Sequence, residues 1–126
     1  MDDTLRNGIL SIISNYSKLT GLQCIFCPIY TLDKMDEGVS STCNLCRLIQ
    51  TSDSGKIACI SQRRAAVNKS FDEYNYQIIT CHAGLFEWIA PAFYKGKPVG
   101  YFVSGFVYTD DVNITNAKRM QYSWMN

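Results

Sequence analysis

Tyr76-Gln77-Ile78-Ile79-Thr80-Cys81, then His82-Ala83-Gly84-Leu85, then the run from Phe86 to Phe93, decide how this chain folds. A polar turn, Tyr94-Lys95-Gly96-Lys97-Pro98, follows, and Val99 to Val107 closes the stretch with a third run of β-branched and aromatic residues. Short apolar runs separated by glycine-bearing turns predict consecutive antiparallel strands, a meander. Gly84 and Gly96 stand where the chain reverses. Gly100 and Gly105 fall inside the last strand, where a missing side chain predicts close approach by backbone or ligand. The chain's one histidine, His82, sits at the first turn beside Cys81.

Upstream of the meander, Asp3 or Thr4 is positioned to cap a helix through Lys18 on which Leu5, Ile9, Ile12, Ile13 and Tyr16 form one stripe, ending near Gly21. Leu22 to Ile29 reads as a strand, and Asp33 to Thr42 as a polar connection holding a turn and a weak partner strand. From Asn44 the character becomes helical, with Cys46-Arg47-Leu48-Ile49 a short turn. Ser52 or Ser54 then caps a helix carrying Ile57, Ile60 and Val67 to about Lys69, and Phe71 to Asn75 links it to the meander. After Val107, Thr109-Asp110-Asp111 marks a helix start, continued by Val112 to Trp124. This order is that of an α+β fold in which a PAS-like antiparallel sheet carries packed helices.

The chain has 126 residues, 47% hydrophobic and 18% charged, the composition of one globular domain. A net charge of +1 gives no electrostatic footprint for direct nucleic acid contact. Arg63-Arg64 and Lys118-Arg119 are isolated pairs and read as solvated helix faces. No apolar run approaches the roughly 20 residues that span a membrane. Met1-Asp2-Asp3-Thr4 lacks the basic region of a signal peptide, so the expected setting is cytoplasmic.

Cysteine chemistry admits several readings. Cys24-x2-Cys27-x15-Cys43-x2-Cys46 has zinc-ribbon spacing. Against it, Pro28 removes a backbone donor after Cys27, and strand residues three apart point to opposite faces. Cys46, Cys59 and Cys81 form another candidate metal set. Two come from helical segments and one from the sheet, and Cys43, Cys27 or His82 could complete a zinc or iron–sulfur site. Cysteine as a small buried hydrophobe is the competing reading. Cys81 and His82 would make a nucleophile and base, except that adjacent strand residues leave on opposite faces. With no second histidine, nucleophile elbow or phosphate loop in the sequence, no catalytic residue is assigned and no enzyme is expected.

The residues also carry a family resemblance. Cys46-Arg47-Leu48-Ile49, Gly55, Cys59, Arg64-Ala65-Ala66, Cys81-His82-Ala83-Gly84-Leu85, Ala90-Pro91, Gly96, Gly100-Tyr101 and Ser104-Gly105, with Leu19-Thr20-Gly21-Leu22 ahead of them, resemble the PocR sensory domain over roughly residues 5 to 108. The resemblance implies a variant PAS fold, residues 1–108, that senses small hydrocarbon derivatives such as a short diol, glycerol or an alcohol. It also implies signalling to an attached output domain, as in transcription regulation, with residues 109–126 beginning the connection. A small polyol needs apolar walls and a few hydroxyl-pairing groups. The candidate ligand contacts are Thr80, Cys81, His82, Glu87, Trp88, Phe102 and Ser104. Glu87 stands between Phe86 and Trp88 either as an exposed residue on the outer face or as an acceptor for ligand hydroxyls. A homodimer formed through the first helix is the expected assembly. The alternative function is a cysteine-ligated zinc or iron–sulfur redox or interaction module.

Overall fold

A computed structural model of the chain describes residues 2–32 and 44–107. The expected turn and weak strand within Asp33–Thr42, Cys43 as a ligand, and the helix over 112–124 lie outside the described residues. Helix α1 spans Asp3–Thr20, β1 Cys24–Pro28, α2 Asn44–Ile49, α3 Asp53–Glu73, β2 Gln77–Thr80, β3 Phe86–Tyr94 and β4 Lys97–Val107. A 3-10 turn, Ile29–Leu32, follows β1. The strands form one antiparallel sheet in the order β1-β4-β3-β2, so the fold class is α+β with the expected PAS-like sheet.

Local chemistry sets the helix ends. The Asp2 carboxylate, one residue ahead of the expected cap, accepts from the Leu5 N–H at 2.7 Å and satisfies one of the four orphan donors of a helix start. Gly21, with φ 71°, ends α1 by donating its N–H to the Ser17 carbonyl. Ser52 caps α3 through the Gly55 N–H, as its sequence position predicts. Residues 44–49 form the short helix α2, in line with the helical character expected from Asn44. Helix α3 runs one turn past Lys69, because Ser70 and Phe71 face the core. Ser70 is fully buried with its hydroxyl on the Val67 carbonyl, and Phe71 packs against the main apolar cluster.

The two faces of the sheet have different partners. Helix α3 covers the face carrying Ile79, Glu87, Ile89, Tyr101 and Val103, and the core of Cys27, Ile60, Ala66, Val67, Ile89, Tyr101 and Val103 lies between them. A second cluster, Leu45, Cys46, Ile49, Ala83 and Leu85, ties α2 to the turn between β2 and β3. Helix α1 lies on the opposite face, above Trp88, Ala90, Phe102 and Ser104. The strand glycines have backbone and ring neighbours. A side chain at Gly100 would strike the Cys27 carbonyl and the Phe26 ring, and one at Gly105 would strike the Trp88 ring.

Candidate functional site

The Cys-His-Ala-Gly-Leu stretch divides into an anchoring half and a chemical half. Ala83 and Leu85 are buried under α2, and the loop closes on itself through Cys81 N–H to the Leu85 carbonyl and Gly84 N–H to the Cys81 carbonyl, both 2.8 Å. Gly84 turns the chain at φ 84°. This fixes His82 on the outside, where its backbone N–H donates to Gln62 Oε1 on α3 at 2.8 Å. The imidazole reaches Cys59: Cys59 Sγ lies 3.1 Å from His82 Nε2.

Behind this pair lies a narrow cavity of about 20 Å³, walled in part by Cys46, Cys59, Cys81, His82, Arg63 and Glu87. Two of its groups are charged and almost wholly removed from water. Arg63 Nη2 stands 3.5 Å from Glu87 Oε2, with side chains 3% and 7% exposed. Burial pushes the Glu87 carboxyl above its ordinary value despite the opposing charge and hydrogen bond of Arg63. The Tyr101 phenol, in hydrogen-bond contact with both Cys27 and Arg63, is pushed up to about 12, by burial first and by Cys27 second, against a smaller opposing pull from Arg63. Glu87, Arg63, Tyr101 and Cys27 thus form a polar chain crossing an otherwise apolar layer from β3 through α3 to β4 and β1. Cys59, half-buried, is likewise raised, chiefly by desolvation and then by Cys81 and Glu87, with Arg63 opposing.

Two expectations about charge are corrected here. Arg63 is not on a solvated helix face: it is 3% exposed, in the phase of Ile60, Val67 and Ser70 along α3. Glu87 is not an outer-face residue but is 5% exposed beneath α3, on the same face as Ile89. The sequence signal for each was phase: Arg63 follows Ile60 at three residues and precedes Val67 at four, and Glu87 shares strand parity with Ile89. Gln62 and the pairing of Cys59 with His82 carried no such signal, since contacts across a loop follow from the fold.

The seven candidate ligand contacts are not brought together. Cys81, His82 and Glu87 line the narrow cavity. Trp88, Phe102 and Ser104 line a larger apolar cleft of about 170 Å³ under α1, with Ile12, Tyr16 and Cys24. There the Ser104 hydroxyl donates to the Gln23 carbonyl at 2.7 Å and sits 2.9 Å from the Tyr16 hydroxyl. Thr80 is exposed at the end of β2. A small molecule on one face of the sheet does not touch the other.

The cysteines separate in the same way. Cys27 is buried toward α3 while Cys24 faces the cleft under α1, so these two do not share a metal ion. Cys46, Cys59 and Cys81 do line one cavity. Among the described residues, however, no group of three or more His, Cys, Asp and Glu side chains is placed to hold a metal ion. Nor, among the described residues, is any helix long and apolar enough to cross a membrane.

Comparison with known proteins returned one family. The model of the sensory domain found in PocR matches residues 6–125, so the match runs through the motif loop and on across most of the segment after 108. No curated protein and no solved structure matches the chain.

Proposed function

The chain belongs to the PocR sensory-domain family, and on that premise we propose that it senses a short diol, glycerol or a simple alcohol in the cavity between α3 and the sheet. One observation carries this reading: a buried Arg63–Glu87 pair lines the same cavity as Cys59, Cys81 and His82. Hydroxyl groups need both donors and acceptors, and a guanidinium, a carboxylate and an imidazole supply them within apolar walls. A cavity of about 20 Å³ has room for about one water. Ligand entry therefore requires the wall to yield. Binding that moves this wall favours one arrangement of the domain over another.

The route to an output domain follows the polar chain. Glu87 meets the ligand, Arg63 links it to Tyr101, and Tyr101 lies on β4, the strand that leads into residues 108–126. We assign the output to signalling or transcription control through a domain joined there, with no turnover of ligand. A homodimer through α1 belongs to the same reading, because Leu10 and Leu19 are exposed on a helix whose one buried residue is Ile9. Thermal-shift titration with 1,2-propanediol, glycerol and ethanol tests the ligand class. Stabilisation of about 2.7 kcal/mol is expected at a hundredfold excess over the dissociation constant. No response to any of them, with stabilisation by a nucleotide, would move the domain to another ligand class.

A further inference from the structure

We propose that Cys59, with His82 as its base, is a nucleophile that captures a short-chain aldehyde as a thiohemiacetal at the mouth of the cavity. The inference rests on the sensing reading in that the adduct would occupy the same cavity, and it adds a covalent step. Cys59 Sγ and His82 Nε2 are 3.1 Å apart, the separation at which an imidazole takes a proton from a thiol. The pair is held from two elements. Cys59 rises from α3, and His82 is fixed by its N–H on Gln62 and by a loop clamped by buried Ala83 and Leu85. His82 is exposed and Cys59 half-buried, so an incoming carbonyl reaches the sulfur from solvent with its carbon chain directed inward.

The step balances without an oxidant. A sulfur electron pair forms the C–S bond, the carbonyl π bond breaks toward oxygen, and the thiol proton passes through Nε2 to that oxygen. No electron leaves the system, and the reverse sequence releases the aldehyde. Burial raises the Cys59 thiol, and because the thiolate is the nucleophile, the attack needs the imidazole 3.1 Å away to take the proton as the C–S bond forms. The cavity behind the sulfur holds about one water, so the carbon chain of the adduct needs the same yielding of the wall as a diol does, and a short chain needs the least.

The test uses the full chain and [1-13C]acetaldehyde observed by carbon NMR. The expected result is a thiohemiacetal resonance that is absent from Cys59→Ser and Cys59→Ala, is retained in Cys24→Ser on the opposite face of the sheet, and forms about 100-fold more slowly in His82→Gln. Circular dichroism of each variant separates loss of chemistry from loss of fold. No adduct in the unaltered chain, an adduct that persists without Cys59, or an unchanged rate in a folded His82→Gln variant would overturn the proposal. Stabilisation by 1,2-propanediol with no aldehyde adduct overturns this step and leaves the sensing reading standing. An adduct with no diol response supports the step and removes the diol.

Discussion

Replacing Arg63 by methionine tests the claim that a charge pair sits inside the core. The substitution keeps most of the stem volume and removes the guanidinium 3.5 Å from Glu87. Breaking a buried ion pair by deleting one partner costs about 3–5 kcal/mol. The cost here depends on pH, because Glu87 can take up a proton. Its carboxyl already lies above the ordinary value of 4.5 with Arg63 opposing the shift, and without Arg63 it rises further. A carboxyl raised in the fold holds its full stabilising effect below its unfolded pKa and loses it as pH climbs through the folded value. The expected loss is therefore about 3 kcal/mol at pH 7 and becomes smaller as pH falls and Glu87 takes up its proton. At about 4 °C per kcal/mol for a domain of this size, Tm at pH 7 falls by about 12 °C. Arg63→Met with Glu87→Leu replaces both charges by apolar groups and is expected to restore about 2 kcal/mol or more of the loss. Urea unfolding of the three chains at pH 5 and 7 measures all of this. A loss under about 1 kcal/mol at pH 7, or a double variant no more stable than the single one, would refute the buried pair as the source.

Other outcomes follow from neighbouring groups. The Tyr101 phenol, raised from 10.0 to about 12, stabilises the fold up to about pH 10, and that stability drains away as pH rises through 12; Tyr101→Phe should flatten this part of an alkaline unfolding curve. Gly105→Ala forces a side chain onto the Trp88 ring at φ 107°, and a loss of about 3 kcal/mol by urea unfolding is expected. A change under about 0.5 kcal/mol would mean that Trp88 moves aside freely. Light scattering of the unaltered chain should give a dimer that Leu10→Glu with Leu19→Glu converts to monomer, and a monomer in both would end the α1 interface. Elemental analysis of anaerobically purified chain addresses the cysteine module, and stoichiometric zinc or iron would restore it ahead of the diol sensor.

The meander was legible because alternating β-branched and aromatic residues broken by Gly84 and Gly96 have few other ways to fold. Gly100 and Gly105 were also readable as points of close approach, although the neighbours, Phe26 and Trp88, were not. The end of α3 was set too early because Phe71 and Asn75 look like connection residues one at a time, and only the packing of Phe71 shows the last turn to be buried. Charge pointed Arg63 outward and left Glu87 open between the outer face and a ligand contact. Each sits in the phase of buried neighbours, and a charge in that phase becomes intelligible only when its partner is found 24 residues away. The site was half legible for the same reason. The motif named Cys81 and His82, but the thiol that meets the imidazole belongs to a helix whose placement the local sequence does not encode.

The sheet acts as a partition, and its two-residue pleat sends neighbouring residues into separate compartments. Glu87 belongs with Arg63 and Tyr101, while Trp88 beside it belongs with Tyr16 and Ser104. Val103 and Ser104 are divided in the same manner. Adjacent positions in β3 and β4 should therefore drift independently during divergence, and the covarying partners should be distant ones: Arg63 with Glu87, Cys59 with His82, and Tyr16 with Ser104. A change that retunes the chemistry beneath α3 can then be accepted without disturbing the contacts of α1.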